Sequence, residues 1–451
     1  MIERTETGTP TVRQCVELIT SGALTSEHLL ESYLDVIDAT DAQIHAWAHI
    51  DRDHALEQAR HLDDIRRRGL PVGNLHGIPV GIKDIFDTVE YVTERGSNIY
   101  ANRNPSADSA VVERLKEAGA VIIGKSVTTE LAWINPAATR NPHDHSRTPG
   151  GSSSGSAAAV AAGHVPLSIG SQTGGSVIRP ASFCGVYGFK PSRGIISRRG
   201  VYQTSPTLDQ VGVFGRDLGD VSLLVDVLGA YDANDSASYL APRPHMLEGF
   251  LSDVLIEPNF VWIDMPYEEH YSKAVSHGCN ELMEAIGGQL DRVPAPKSFI
   301  ALIECHKIIY EYEIYRCLTD ERENHWGLLS DTARRKLEVA GKVSDDQYQD
   351  ALDVLNAANQ WFEQFFYDYD SIVTPSSLGE APAFEEGTGD PICCTIWTLC
   401  GLPCISLPLL LSGNGMPIGL QIVGGINRDD DLLRTSRWLL NTLRNDDMVE
   451  N

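Results

Sequence analysis

Three short segments carry side chains that could form one catalytic unit. Lys83 follows the apolar run Ile78–Ile82, and two turns rich in glycine and serine lie downstream, one at 150–156 and one ending in Ser176 after two glycines. A serine hydroxyl becomes a useful nucleophile when a base removes its proton, and a glycine-rich turn lets backbone N–H groups approach the oxygen where charge develops. The pattern predicts that Lys83, Ser152 and Ser176 work together in nucleophilic catalysis.

The surroundings of these residues suit that chemistry. A lysine acts as a base only when it is neutral, and burial beside an apolar strand lowers its pKa. The serine-rich turn precedes the alanine-rich segment Ser154–Ala162, which predicts a helix ending at Gly163. The serines therefore lie at a helix N-terminus, where free N–H groups and the helix dipole favour negative charge.

The elements around the turns predict an α/β fold. Residues 11–63 have helical periodicity, with Thr25 or Ser26 as a capping residue. Ser109–Ala118 predicts a further helix and Ala120–Ile123 a short strand. This alternation of helix and strand is typical of helices layered on a sheet.

Composition restricts the classes of partner. The 451 residues include 36 basic and 62 acidic side chains, giving a net charge of −26. Such a charge repels phosphate backbones and anionic membranes, so we expect a small-molecule substrate and neither nucleic acid nor membrane as partner. Met1–Pro10 has no apolar secretory signal, which favours a cytoplasmic protein.

The cysteines and histidines indicate no metal or cofactor. Nine cysteines without a secretion signal are typical of buried thiols. Four of them cluster and raise a zinc hypothesis, but they lack paired C-x-x-C spacing and have apolar neighbours: Cys393, Cys394, Cys400 and Cys404. The histidines show no H-E-x-x-H spacing, and we assign His76, His143 and His145 to loops.

Taken together, these motifs resemble the amidase signature family. The two serines are 24 positions apart, and the likeness runs through most of the chain. The matching segments are Gly81–Asp84, Gly124-Lys125, Thr139–Pro142, Gly150–Ser156, Gly174–Ser176, Phe183–Gly185, Gly188–Pro191 and Gly401–Pro403.

The resemblance implies a role for each candidate. Ser176 would attack the amide carbonyl, Ser152 would relay the proton, and Lys83 would act first as base and then as acid. It also implies a cis peptide at Gly151-Ser152, with Ser153 as a supporting hydrogen-bond partner. The oxyanion hole would be formed by backbone groups of Thr173, Gly174, Gly175 and Ser176.

Two positions depart from the commonest family pattern. Gln172 stands where many members have an acidic residue, and Arg179 lies three rather than two positions after the nucleophile. This combination resembles the malonamidase-type branch, in which the arginine holds a substrate carboxylate. An arginine fork suits a carboxylate, but it could equally anchor the loop to a carbonyl.

The resemblance also implies one α/β/α sandwich around a mixed sheet, spanning 1–451. Within it we expect N-terminal helices at about 11–63, a catalytic core at about 75–200, a variable helical region at about 236–370 and a sheet-completing part at about 371–445. Homodimers are common in the family, and no cofactor is implied.

Competing interpretations of the motifs are weaker. The turn at 150–156 could be a linker, but a helix follows it directly, and it lacks the lysine of a phosphate-binding loop. Lys125-Ser126 is an adjacent pair, and neighbours in a strand point to opposite faces. Six large aromatics could line a pocket or fill the core: Trp133, Tyr310, Tyr312, Trp326, Trp361 and Trp397.

The sequence therefore predicts a serine amidase acting on a small linear amide, with or without a carboxylate. Carbamate or ester cleavage is open, because the same acyl chemistry serves those bonds. A second hypothesis is the A subunit of a glutamyl-tRNA amidotransferase, which resembles these enzymes closely. A third is a binding protein that keeps the fold without catalysis.

Overall fold

One mixed β-sheet carries the residues of interest. The structure is a computed structural model that describes residues 9–449. Most of Met1–Pro10, the segment that favours a cytoplasmic protein, therefore lies outside the described residues. The strands are β1 (Trp47–Ile50), β2 (Pro79–Lys83), β3 (Val121–Ser126), β4 (Leu167–Gln172), β5 (Tyr187–Lys190), β6 (Gln210–Gly215), β7 (Phe260–Asp264), β8 (Leu290–Pro294), β9 (Ser371–Pro375), β10 (Cys404–Leu411) and β11 (Pro417–Val423).

Helices pack around this sheet, as expected for an α/β fold. They are α1 (Val12–Ser21), α2 (Ser26–Ile44), α3 (Arg52–Arg67), α4 (Ala110–Glu117), α5 (Ser154–Ala161), α6 (Ile178–Cys184), α7 (Leu218–Leu228), α8 (Met246–Leu251), α9 (Lys273–Ile286), α10 (Phe299–Cys317), α11 (Thr319–Asn324), α12 (Asp331–Ala340), α13 (Asp345–Phe365), α14 (Ile392–Leu399) and α15 (Asp429–Val449). Between residues 9 and 449, no helix is both long and apolar enough to cross a membrane.

The strand order across the sheet is β1-β3-β2-β4-β6-β5-β10-β11-β9-β7-β8. β2 lies between β3 and β4 and runs parallel to both, whereas β4 is antiparallel to β6. Every residue of β2 is buried, as expected of a strand covered on both faces. The carboxyl ends of β2 and β4 therefore lie side by side in the interior.

The N-terminal segment contains one strand that its helical pattern did not predict. Thr25 caps α2 by accepting a hydrogen bond from the N–H of His28, as the capping pattern predicts. Trp47–Ile50 then forms the edge strand β1, antiparallel to β3. Four residues are too few for the alternation of a strand to show against the helical periodicity around it.

The region expected to be helical, at about 236–370, also contributes to the sheet. β7 and β8 pair in parallel, and β7 pairs in parallel with β9. Helices α10 to α13 leave the sheet after β8 and return to it at β9, so both ends of this segment flank β7.

Buried carboxylates attach these helices to the rest of the molecule. Glu321 of α11 accepts hydrogen bonds from the hydroxyls of Tyr100 and Tyr202. Glu313 of α10 accepts from the hydroxyl and the N–H of Thr207, the latter at 3.0 Å. Removing a buried carboxylate would leave its donors unpaired, so these contacts fix the position of α10 over the sheet.

Candidate active site

Lys83 lies at the end of β2 with its amine inside the protein. The side chain is 0% exposed. Its Nζ donates to the Oγ of Ser152 at 2.8 Å and to the Oγ of Ser171, at the end of β4, at 2.8 Å. Burial lowers the pKa of Lys83 to about 7, against an opposing influence of Asp209. At neutral pH the neutral amine is therefore readily populated.

The chemistry of the two partners supports a change of protonation state. A hydroxyl can accept a hydrogen bond from an ammonium group and can donate one to a neutral amine. Ser152 and Ser171 can therefore reorient when Lys83 gains or loses a proton. Lys83 can therefore keep both hydroxyls as hydrogen-bond partners whether its amine is neutral or protonated.

A tight turn presents Ser152 to the lysine. Gly150 has φ +86°, a conformation that favours glycine, and the peptide bond between Gly151 and Ser152 is cis. Helix α5 begins two residues after Ser152. A Cβ at Gly155 would lie 2.2 Å from the carbonyl oxygen of Ala46, so this helix packs too closely for any larger residue.

Ser153 positions Ser171. The Ser153 hydroxyl donates to the carbonyl of Ser171 at 3.1 Å and accepts from its N–H at 3.2 Å. Ser171 in turn accepts from Lys83. Ser153 was predicted from the sequence and Ser171 was not, although Ser171 is a hydroxyl near the end of a buried strand just before the second turn.

The second turn presents backbone N–H groups. Within the described residues, the N–H groups of Gly174, Gly175 and Ser176 donate to no protein acceptor. The Thr173 hydroxyl donates to Asp209 at 2.5 Å. Gln172 accepts from the N–H groups of Val177 and Ile178 at 2.8 and 3.0 Å, and so closes the turn with a neutral side chain.

Ser176 is half-buried at the mouth of this turn. Its hydroxyl makes no hydrogen bond to any protein group between residues 9 and 449. The structure thus joins Lys83 to Ser152 but shows no hydrogen bond from Ser152 to Ser176. The proton relay across that gap stays a prediction.

Arg179 is buried beside the first turn, 4% exposed. Its Nη2 donates to the carbonyl of Gly151 at 2.7 Å and to the hydroxyl of Thr388 at 3.4 Å. Its Nε and Nη1 have no hydrogen-bond partner in the part of the chain described. Arg179 therefore anchors the turn and keeps two further donors for another acceptor.

The competing pair Lys125-Ser126 is divided between two environments. Lys125 is fully buried and donates to the carbonyl of Phe86 at 2.7 Å, while its Nζ lies 3.4 Å from a carboxylate oxygen of Asp84. Ser126 instead shares a hydrogen bond with Ser156 at 2.8 Å. The pair has no common catalytic geometry.

The other candidates lie in loops or the core. His76 and His143 bond to the carbonyls of Leu62 and Cys184 at 3.1 and 2.9 Å. Trp397 is buried against the rings of Phe299 and Phe362. The cavity beside the second turn has none of the six predicted aromatics in its lining, which includes Ile85, Ala132, Ser171, Thr173, Tyr202 and Gln203.

The cysteine cluster is a set of buried thiols. Cys393, Cys394, Cys400 and Cys404 are all free and buried. Burial raises the pKa of the Cys404 thiol to about 12, which keeps it protonated. Among the residues described, no group of three or more His, Cys, Asp or Glu side chains could hold a metal ion.

The chain is similar in sequence to curated amidotransferase subunits over almost its whole length. The A subunit of glutamyl-tRNA(Gln) amidotransferase from Trichormus variabilis is 31% identical, over 94% of this chain and 96% of its own. Its counterpart from Chloroflexus aggregans is 33% identical, over 94% of each chain.

Solved structures give the same fold. The structure of a protein from a vestigial complex, described as revealing the origins of an s-triazine catabolic enzyme, superposes with a TM-score of 0.90. The two chains are 26% identical, and the match covers 96% of this chain and 98% of the other. A family model described as Amidase matches residues 28–433. The chain therefore belongs to the amidase signature family.

Proposed function

We propose that this protein cleaves a carboxamide C–N bond through an acyl-enzyme on Ser176. The observation that supports this most directly is the fully buried Lys83, hydrogen-bonded to Ser152 at 2.8 Å beside a turn with three unpaired N–H groups. The amine supplies a base, and the turn supplies donors for a developing oxyanion.

The reaction begins at the carbonyl carbon. Ser176 Oγ forms a bond to it, the hydroxyl proton passes to Ser152, and the proton of Ser152 passes to Lys83. The carbonyl electron pair moves to oxygen, where the N–H groups of Gly174, Gly175 and Ser176 stabilise it. Each such donor is worth about 3 kcal/mol of transition-state stabilisation in comparable sites.

Collapse of this intermediate returns the proton. Lys83, now an ammonium group, donates through Ser152 to the departing nitrogen, and the C–N bond breaks. A water molecule then attacks the acyl group under the same base and releases the acid. A lysine with a pKa near 7 is suited to both roles, because neither transfer is strongly uphill at neutral pH.

Arg179 supports a substrate that bears a carboxylate. Its two unpaired donors are buried next to Gly151, so a carboxylate placed there would gain charge-assisted hydrogen bonds. This favours the malonamidase-like kind of amidase. The same acyl-enzyme route would also cleave esters and carbamates, so a substrate screen is needed to distinguish the three kinds of bond.

The second candidate is the A subunit of an amidotransferase. The curated relatives bear that name at 31–33% identity across almost the whole chain, which favours this candidate at least as strongly. Glutamine is itself a carboxamide that bears a carboxylate, so the same arginine could serve it. Under this candidate the chain would work with partner proteins and a tRNA, contrary to the expectation from net charge.

A substrate panel tests the proposal. The purified chain is assayed on acid-amides including glutamine, their neutral analogues of equal length, anilides, carbamates and esters. Arg179→Ala should reduce kcat/KM for the acid-amide by about 10-fold to 100-fold more than for the neutral analogue, because both substrates lose the anchor on Gly151 but only the acid-amide loses a charge-assisted bond. Equal losses on both substrates would exclude Arg179 as the residue that holds the carboxylate.

Co-purification separates the two candidates. The tagged chain is isolated from its native cells and assayed for glutamine hydrolysis alone and with any co-purifying protein. Turnover by the isolated chain supports a self-contained amidase. Turnover of glutamine only in the presence of a second protein supports the amidotransferase candidate.

A further inference from the structure

The turn that precedes Ser176 is anchored through its carbonyl groups. The carbonyl of Thr173 accepts from Nε2 of His306 at 2.8 Å, that of Gly174 accepts from the hydroxyl of Thr398 at 2.6 Å, and that of Gly175 accepts from the N–H of Arg179 at 3.0 Å. The donors come from α10, α14 and α6. Three separate elements therefore hold three consecutive peptide groups.

Anchoring a carbonyl also aims an N–H group. The C=O of one residue and the N–H of the next belong to the same planar trans peptide and point in opposite directions. Fixing the carbonyl of Thr173 thus fixes the N–H of Gly174. The other two anchors do the same for the N–H groups of Gly175 and Ser176.

His306 is the least expected of these anchors. It lies on α10, in the region to which sequence analysis gave no part in the chemistry. The side chain is 6% exposed, and burial lowers its pKa to about 4, so the ring is neutral at neutral pH. A carbonyl can only accept, so Nε2 carries the ring proton.

The ring also packs against the turn. A Cβ built on Gly174 would lie 3.6 Å from the ring of His306. Thr173 is further held by its hydroxyl, which donates to Asp209, and Asp209 accepts from the N–H groups of Thr204 and Ser205 at 2.7 and 2.9 Å. Thr173 is therefore restrained both at its carbonyl, by His306, and at its side chain, by Asp209.

We propose that His306 is a positioning residue that holds the Thr173–Gly174 peptide so that its N–H faces the developing oxyanion. This inference rests on the proposed function, since it assigns a task within the same site. Without the His306 donor, the Thr173 carbonyl would lose its partner and the peptide could rotate. One oxyanion donor would then be misdirected while the lysine and both serines stayed in place.

Labelling by a fluorophosphonate tests this without knowledge of the substrate. Its phosphoryl oxygen needs the same N–H donors when Ser176 displaces the fluoride. His306→Leu keeps the side-chain volume without a donor, and His306→Gln places an amide N–H near the position of Nε2. His277→Ala, at an exposed site on α9, is the matched control.

The expected result is a loss in the chemical step alone. His306→Leu should lower kinact about 10-fold to 100-fold, as for a misplaced oxyanion donor, while KI stays close to wild type. His306→Gln should recover most of the rate, and His277→Ala should match wild type. The pH at which labelling is half-maximal should be the same in every variant, because His306 takes no proton in the reaction.

Each contrary outcome has a distinct meaning. A folded His306→Leu that labels at the wild-type rate overturns the positioning role and leaves the proposed function intact. A shifted pH midpoint overturns it too, since His306 would then act as an acid or base. Failure of the wild-type chain to react at all overturns the proposed function, and this inference with it. Thermal unfolding of each variant confirms that the fold is retained.

Discussion

Lys83 and Lys125 end neighbouring parallel strands, and both are fully buried. Burial lowers the pKa of Lys83 to about 7 and that of Lys125 to about 8, where Asp84 opposes the shift. Two such close values do not separate a base from a structural cation. The partners do: within residues 9–449 Lys83 bonds only to two hydroxyls, whereas Lys125 lies beside a carboxylate and donates to the carbonyl of Phe86 as well as to the hydroxyl of Thr93.

A third buried lysine extends the comparison. Lys190 donates to the carbonyl of Leu402 and to the side-chain oxygen of Gln210, both at 2.6 Å, and to the carbonyl of Pro191 at 3.3 Å. Three acceptors require the three donors of an ammonium group. A buried lysine is therefore available as a base when its partners can reverse their hydrogen bonds, and burial by itself is insufficient.

The largest expected effect comes from replacing Lys83 and Lys125, each in turn, by methionine, which tests whether the partners of a buried lysine decide its role. Lys83→Met should lower the rate of Ser176 labelling by about 10⁴-fold or more, since residues that act as one unit fail together. Its free energy of unfolding should change little, because the amine it loses bonds only to hydroxyls. Lys125→Met should instead destabilise the fold by about 3–5 kcal/mol, because it leaves Asp84 buried with the N–H of Glu94 but without its charged partner.

Urea unfolding and labelling are measured on both variants and on wild type. Loss of labelling in a stable, folded Lys125→Met would make Lys125 part of the chemistry. Equal destabilisation by the two changes would erase the distinction drawn from their partners.

The pH dependence of labelling gives the next largest effect. Lys83 is a base only when neutral, so the rate should be at its plateau above its pKa and fall as the pH drops through about 7. Well below that value each pH unit should cost about tenfold, because the neutral fraction declines by that factor. Rates are measured from about pH 5 to about pH 11, so that the range includes the ordinary lysine pKa.

A half-maximal rate near the ordinary lysine pKa of 10.5 would contradict the idea that burial prepares Lys83. Circular dichroism over the same pH range shows whether the chain stays folded, so that acid unfolding is not mistaken for titration.

A serine pair on β4 offers the smallest and most selective change. Ser171→Ala removes one of the two hydroxyls on Lys83 and should slow labelling about tenfold, the equivalent of one hydrogen bond of about 1.4 kcal/mol. Ser168→Ala, on the same strand, removes only a bond to the carbonyl of Gly81 and should leave the rate unchanged. Equal slowing of labelling by Ser171→Ala and Ser168→Ala would show that serines of β4 affect the rate only through the stability of the fold.

Sequence predicted the segments of the candidate site better than the contacts between them. Lys83 at the end of a buried strand and the serines before an alanine-rich helix were evident from residue type and spacing. Ser171 was missed because a single serine near the end of a strand is a weaker signal than the glycine-rich turn that follows it. His306 was missed because its partner is a backbone carbonyl 133 positions away, and sequence spacing carries no information about such a contact.

The same limit applied to the sheet. β1 was hidden in a helical stretch, and β7 and β8 were hidden in a region dominated by long helices. Short strands whose neighbours come from distant parts of the chain are stabilised by those neighbours more than by their own residue preferences. Their existence becomes clear only once the strand order is known.

The segment between β8 and β9 joins two strands that flank β7 and run parallel to it, so its two ends lie at opposite edges of the sheet, about 16 Å apart. The segment between β8 and β9 could therefore be exchanged as one unit to make chimeras with relatives. The host would keep Lys83, Ser152 and Ser176, and the incoming segment would bring its own helices. A chimera that functions would need a hydrogen-bond donor at the position of His306 and carboxylates at those of Glu313 and Glu321. These three side chains therefore decide whether an exchanged segment fits the rest of the protein.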